Sequence, residues 1–135
     1  MVRINKTQIT WRHLFFRKWY RRLCRFLFGF HPSVYFQDIR QVHFGKQCWI
    51  GPHVCFITRN HRKDDPYQHD EHQPICIGEQ CWIGANAVIL PGVILGEQTI
   101  VGAGSVVTKS FKKGHEVIAG NPAQRIGVVR STTPP

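Results

Sequence analysis

Between residues 77 and 112 a branched aliphatic residue returns every sixth position, at Ile77, Ile83, Ile89, Leu95, Val101 and Val107. Gly follows at Gly78, Gly84, Gly96 and Gly102, and a mostly small residue stands four places after each aliphatic: Cys81, Ala87, Val93, Thr99 and Ser105. Phe111 breaks that last trend. A weaker copy precedes it, with Phe44, Ile50 and Phe56 in the aliphatic slot and Cys48, Val54 and Asn60 in the fourth slot after it. The stretch GKQCWIGPHV at 45–54 echoes GEQCWIGANAV at 78–88, so these segments are internal copies. A fixed short period dictates a repeat architecture. Side-chain alternation alone has a period of two. A period of six predicts short strands joined by corners into a triangular coil with the aliphatic residue inside. Three hexapeptides make a turn of about 18 residues, and stacked turns lie about 4.8 Å apart. Residues 44–61, 77–94 and 95–112 then form three coils, each needing its neighbour to bury its faces.

The rhythm fails between Phe56 and Ile77, where 59–74 (RNHRKDDPYQHDEHQP) is polar, holds two prolines and lacks aliphatic residues. This is a loop extruded from the coil. After Lys112 the frame decays, through a helix-like step over 121–125, into a tail at 128–135. Upstream, Thr10 can cap a helix from Trp11 to about Phe28, with Gly29 as its stop. Arg17, Lys18, Arg21, Arg22 and Arg25 share one face of that helix, and Trp11, Phe15, Trp19, Leu23, Phe26 and Leu27 line much of the rest. The chain thus divides into a basic aromatic helix (1–30), a repeat domain (31–127) and the tail.

Charge sharpens this division. The net charge is +10, but eight of the eighteen Lys and Arg residues lie in residues 1–25, before the first acidic residue, Asp38. The repeat domain is near neutral, so the basic character belongs to the helix. A basic amphipathic helix suits an anionic membrane surface through residues 9–28, or it packs its aromatics on the protein body. No base-reading motif accompanies the charge, so nucleic acid is not an expected partner. Arginines interrupt each apolar run, which argues against a secretory signal or a membrane span. Five cysteines without a CxxC pair read as reduced thiols in a cytoplasmic protein, with Cys48 and Cys81 in the small buried slot.

From Cys81 to Ile126 the run WIGANAVILPGVILGEQTIVGAGSVVTK followed by AGNPAQRI resembles the left-handed β-helix hexapeptide acyltransferases. That family includes galactoside and maltose acetyltransferases and O-acetyltransferases of bacterial polysaccharide synthesis. The resemblance covers about residues 40–127. It implies an all-β fold, a left-handed parallel β-helix, beyond the basic amphipathic N-terminal α-helix. It also implies a homotrimer with active sites between subunits, acetyl-CoA as donor, a sugar or glycan hydroxyl as acceptor, and no metal. At the inner face of a membrane, that acceptor would be a lipid-linked saccharide.

The family's catalytic His stands where coil gives way to loop, which here is His61, with His69 as fallback among His43, His53, His72 and His115. Imidazole titrates close to neutrality, so its neutral form can take a hydroxyl proton as the oxygen attacks a thioester. Asp64 or Asp65 is available to orient it. On the coenzyme side the resemblance carries over Trp82 along the pantetheine arm and Ala85 near the thioester. Gly102 and Ala103 match backbone contacts to the pantetheine amides. Thr108 and Lys109 match the segment beside the adenine and phosphates, and Arg125 takes the phosphate charge because Gln124 stands where relatives carry Lys or Arg. Several relatives have Ser at the position of Ala85, and Arg62 and Lys63 replace the usual residues after the His. Trp49, the twin of Trp82, reads as a structural cap on the coil. Two other readings use the same coil: a metal protein like the γ-type carbonic anhydrases, which needs three imidazoles, and a non-catalytic trimeric scaffold.

Overall fold

The computed structural model describes residues 31 and 33–129, so the expected N-terminal helix and the last residues of the tail lie outside the described residues. Twelve strands follow in order: β1 Tyr35–Phe36, β2 Val42–Phe44, β3 Trp49–Ile50, β4 Cys55–Phe56, β5 Ile75–Ile77, β6 Trp82–Ile83, β7 Val88–Ile89, β8 Ile94–Leu95, β9 Ile100–Val101, β10 Val106–Val107, β11 Glu116–Gly120 and β12 Ala123–Val128. Successive strands go to successive sheets. One face is β1-β4-β7-β10, a second is β3-β6-β9-β11-β12, and the third is β2-β5-β8. Every pairing is parallel except β11 with β12. This is a three-sided left-handed β-helix.

Register explains the six-residue rhythm. Ile77 lies against Leu95, Ile83 against Val101 and Ile89 against Val107, each one 18-residue turn apart. These aliphatic residues and the fourth-slot residues Cys81, Ala87, Val93, Thr99 and Ser105 are all buried. Gly78 and Gly84 are required for a second reason. A Cβ on Gly78 would lie 2.6 Å from the Glu97 backbone N, and one on Gly84 2.6 Å from that of Ala103. The next coil passes too close for a side chain. Polar fourth-slot residues satisfy themselves locally: Thr99 Oγ1 donates to Gly96 O at 2.8 Å and Ser105 Oγ to Gly102 O at 2.6 Å. The Cys81 thiol, which donates to Gly96 O at 3.2 Å, is held above its ordinary pKa by the adjacent Cys48 sulfur and by burial. The four described cysteines are free.

The coil extends beyond its legible rhythm at both ends. β1 adds a strand beneath β4, with Phe36 against Phe56. At the other end Phe111 pairs with Leu95, 16 residues on rather than 18. Its corner is two residues short, so Phe111 falls into the inward aliphatic slot and not into the small one. Residues 121–125 are not helix-like: they form the turn and first strand residues of an antiparallel hairpin. Pairing also runs past residue 127, since β12 ends at Val128 and the Val129 N–H donates to His115 O at 2.9 Å. Trp49 does not cap the coil. It is 72% exposed and stands in register beside Trp82, itself 56% exposed, on the outer surface of the second face.

Candidate functional site

Phe44 pairs with Ile77, Ile50 with Ile83 and Phe56 with Ile89, each 33 residues apart, so the chain between β4 and β5 inserts 15 residues beyond one turn. The insertion leaves from the edge between the first and third faces, where β4 ends and β5 begins. Its root is fixed by a polar cluster around the buried Thr58. Gln37 Oε1 accepts from the backbone N–H groups of Thr58 and Arg59, both at 2.9 Å. The wholly buried Thr58 hydroxyl lies 2.8 Å from His72 Nδ1. The Gln73 N–H closes the root by donating to Thr58 O at 2.7 Å.

Beyond this root the loop folds on itself as a short antiparallel ladder. The Arg62 N–H donates to Gln68 O and the Asp70 N–H to Asn60 O, both at 2.9 Å. Those bonds flank the His61–His69 bridge. His61 and His69 are therefore a non-hydrogen-bonded pair, the arrangement that brings facing side chains closest. Their ring centroids are 4.2 Å apart. Two residues that the sequence presents as rivals for one role sit side by side.

The orienting group is also clear. His61 Nδ1 lies 2.7 Å from Pro66 O. A carbonyl can only accept, so Nδ1 carries the hydrogen and the neutral ring leaves Nε2 with its lone pair. Neither Asp64 nor Asp65 holds His61. Asp64 forms a two-pronged pair with Arg62, whose guanidinium lowers the carboxyl pKa, and Asp65 Oδ1 accepts from the Tyr67 N–H at 3.0 Å. Both carboxylates serve the turn instead. Local desolvation, then the proximity of His61 and the charge of Arg59, push the His69 pKa down, which favours its neutral form.

The expected coenzyme-side residues are distributed around the coil. Trp82 projects from β6 on the second face, in register with Ile100 and Val117. Ala85, Gly102 and Ala103 belong to the corner between that face and the first, where coils meet directly: the Gly104 N–H donates to Ala85 O at 2.8 Å. Thr108 and Lys109 follow β10, on the edge between the first and third faces that the loop also leaves from, two coils further along. Lys109 Nζ donates to Gln124 Oε1 at 3.1 Å and lies 5.6 Å from the Phe111 ring centre. Gln124 thus meets Lys109 through a neutral side chain. Arg125 is engaged differently, with Nε 3.2 Å from the carboxylate of the buried Glu116. Within one chain the loop leaves from the edge opposite the face that carries Trp82, so His61 and Trp82 do not meet. Among the described residues no three His, Cys, Asp or Glu side chains gather as a metal site.

Sequence reasoning did not find the Pro66 carbonyl or the His61–His69 pairing. Both arise from how the loop folds back, and the six-residue period carries no information there.

Residues 77–109 match the family model of the bacterial transferase hexapeptide (six repeats). Comparison with curated protein sequences gives no match. Among solved structures, the fold is similar to a hexapeptide-repeat acetyltransferase of Vibrio cholerae O1 biovar eltor complexed with acetyl coenzyme A. The identity there is 23% over 85% of this chain and 79% of that one, with a TM-score of 0.66. A maltose O-acetyltransferase of Clostridium difficile 630 gives 24% identity, 94% and 81% coverage and a TM-score of 0.66. A galactoside acetyltransferase in complex with coenzyme A gives 25% identity, 93% and 75% coverage and a TM-score of 0.63. Residues 77–109 thus carry the repeat of that family model, and the chain shares the fold of these acetyltransferase structures.

Proposed function

We propose that this protein moves the acetyl group of acetyl-CoA to a hydroxyl of a sugar or glycan, with His61 as general base. The observation that carries the reading is the 2.7 Å contact from His61 Nδ1 to Pro66 O, which leaves Nε2 as a proton acceptor at a loop-and-coil junction. Nε2 takes the hydroxyl proton while the oxygen attacks the thioester carbonyl. Collapse of the tetrahedral intermediate breaks the C–S bond, and the imidazolium returns the proton to the thiolate. The products are an O-acetyl sugar and free coenzyme A.

Such a site needs a second copy of the chain. The edge bearing His61 lies opposite the face bearing Trp82, so a homotrimer that sets one copy's edge beside its neighbour's face brings the two together. Trp82, Ala85, Gly102 and Ala103 then line the pantetheine arm. Ala85 offers no hydroxyl, which leaves backbone N–H groups for the oxyanion. At the far end Lys109, whose partner Gln124 is neutral, keeps its charge for the coenzyme phosphates, with Thr108 beside it. Arg125 has its charge met by Glu116 and is the weaker candidate.

Thiol release from acetyl-CoA is the test, with maltose, galactosides and other saccharides as acceptors. Acceptor-dependent release is expected, and Lys109→Met is expected to raise KM for acetyl-CoA about tenfold with little change in kcat. No release with any saccharide would favour the scaffold reading. A cytoplasmic location at the inner membrane face is part of the same proposal, resting on the basic aromatic segment 9–28. Removing residues 1–30 is expected to abolish sedimentation with anionic vesicles, and unchanged sedimentation would reject the membrane role.

A further inference from the structure

Arg59 stands at the mouth of the proposed site, and among the described residues no carboxylate answers its charge. Its own N–H is tied to Gln37 Oε1 at 2.9 Å, so the backbone is pinned on the rim of the coil. Its side chain is the exception. The guanidinium Nε is sealed from solvent without a hydrogen-bond partner, and among the described residues Arg59 makes no ion pair.

The segments outside the described residues hold no side-chain carboxylate that could pair with it. All eight Asp and Glu residues lie between Asp38 and Glu116, and none occurs in residues 1–30 or 130–135. Asp38 is taken by Arg40, Asp64 by Arg62, Glu97 by His115 and Glu116 by Arg125, and none of the other four, Asp65, Asp70, Glu71 and Glu79, forms an ion pair with Arg59. Desolvating a cationic donor without a partner is unfavourable, and native structures rarely tolerate it unless the group has a use.

Position supplies the use. The ladder through Asn60, His61 and Arg62 makes this an extended segment, in which alternate residues share a side. Arg59 immediately precedes that ladder, two residues before His61, the spacing that puts side chains on one side of an extended chain. The charge of Arg59 is felt at His69, the cross-strand partner of His61, which agrees with that placement.

We propose that Arg59 binds an anionic group of the acceptor, a sugar carboxylate or a sugar phosphate, and thereby sets the acceptor hydroxyl before His61. Guanidinium matches both anions in a two-pronged geometry that an ammonium cannot reproduce. This inference rests on the acetyl-transfer reading for the word acceptor, while the anion site itself does not.

The test uses the full chain, wild type, Arg59→Gln and Arg59→Lys, with galactose, galacturonate and galactose 1-phosphate as probes. In calorimetric titration the wild type is expected to bind at least one anionic probe about tenfold more tightly than galactose. Arg59→Gln is expected to erase the difference, and Arg59→Lys to keep part of it with an unchanged melting temperature. Which anionic probe gains distinguishes a uronic acid from a phosphorylated sugar. In turnover, Arg59→Gln lowers kcat/KM for the preferred anionic acceptor about tenfold, and the loss for galactose is smaller. Equal binding of all three probes by the wild type overturns the inference. So does an Arg59→Gln variant that weakens neutral and anionic probes alike or dissociates the oligomer, because Arg59 would then serve the fold or a neighbouring copy. Discrimination in binding without thiol release from any acceptor overturns the acetyl-transfer reading and leaves the anion site standing.

Discussion

His61→Ala is expected to lower acceptor-dependent thiol release by about 10²–10⁴-fold, the usual contribution of a positioned general base. The loss should fall on kcat, because the imidazole acts on the proton in flight and is not asked to hold the coenzyme. Coenzyme A binding and oligomeric state should remain those of the wild type, since His61 is exposed on the loop and outside the buried core. Steady-state kinetics with equilibrium coenzyme binding separates these quantities. Equal acceptor-dependent rates in His61→Ala and wild type would reject His61 as the base. His69→Ala provides the comparison. It removes the ring packed against His61 but leaves the contact to Pro66 O, so a loss well below that of His61→Ala is expected. The reverse order would transfer the role to His69. Asp64→Asn and Asp65→Asn should be nearly silent, because neither carboxylate touches the imidazole.

The fold was legible where one physical constraint repeats. Each inward slot must be apolar, and Gly78 and Gly84 must be Gly because the next coil's backbone lies where a Cβ would go. Those demands recur with every coil and write a period into the chain. The ends obey different demands. Phe111 looks irregular in a strict six-residue frame, and only the shortened corner opposite Leu95 shows that it is an inward residue. The hairpin of β11 and β12 has no repeat to announce it. The site was half legible for a related reason. A break in the rhythm marks His61, but the partners of a loop residue depend on how the loop returns. The acids nearest in sequence, Asp64 and Asp65, attracted the orienting role because they carry charge, while the Pro66 carbonyl performs it without any side-chain signal. Trp49 and Trp82 look alike in sequence and share one outer face. Their different surroundings would come from a neighbouring copy, which the sequence of one chain does not display.

The same logic places the most costly core substitution at Phe56. In the middle of the coil the inward slots hold Ile, Leu and Val, whose volumes fill a prism bounded by coils above and below. Near its start the prism is bounded on one side only by β1 and the segment leading into β2, and aromatic rings fill the space. Phe36 stacks on Phe56 at 5.1 Å with 8° between planes, and Phe44 meets Phe56 edge-on at 5.3 Å and 88°. Phe56 is wholly buried and central to the three, whereas Phe36 and Phe44 are only partly buried. Phe56→Ala is therefore expected to destabilise the protein by about 3–5 kcal/mol, through lost transfer energy and the cavity left behind. That is a large part of the roughly 5–15 kcal/mol available to a domain. Phe36→Ala should cost less, and Phe56→Leu less again, because most of the cavity stays filled. Urea midpoints compared at one fixed protein concentration measure these differences, since an oligomer's apparent stability depends on concentration. A Phe56→Ala shift below about 1 kcal/mol would mean that the cluster is not a core element. Because Gln37 and Thr58, which flank Phe36 and Phe56, fasten the loop root, the same variant should lose acetyl transfer at a urea concentration below its own unfolding midpoint.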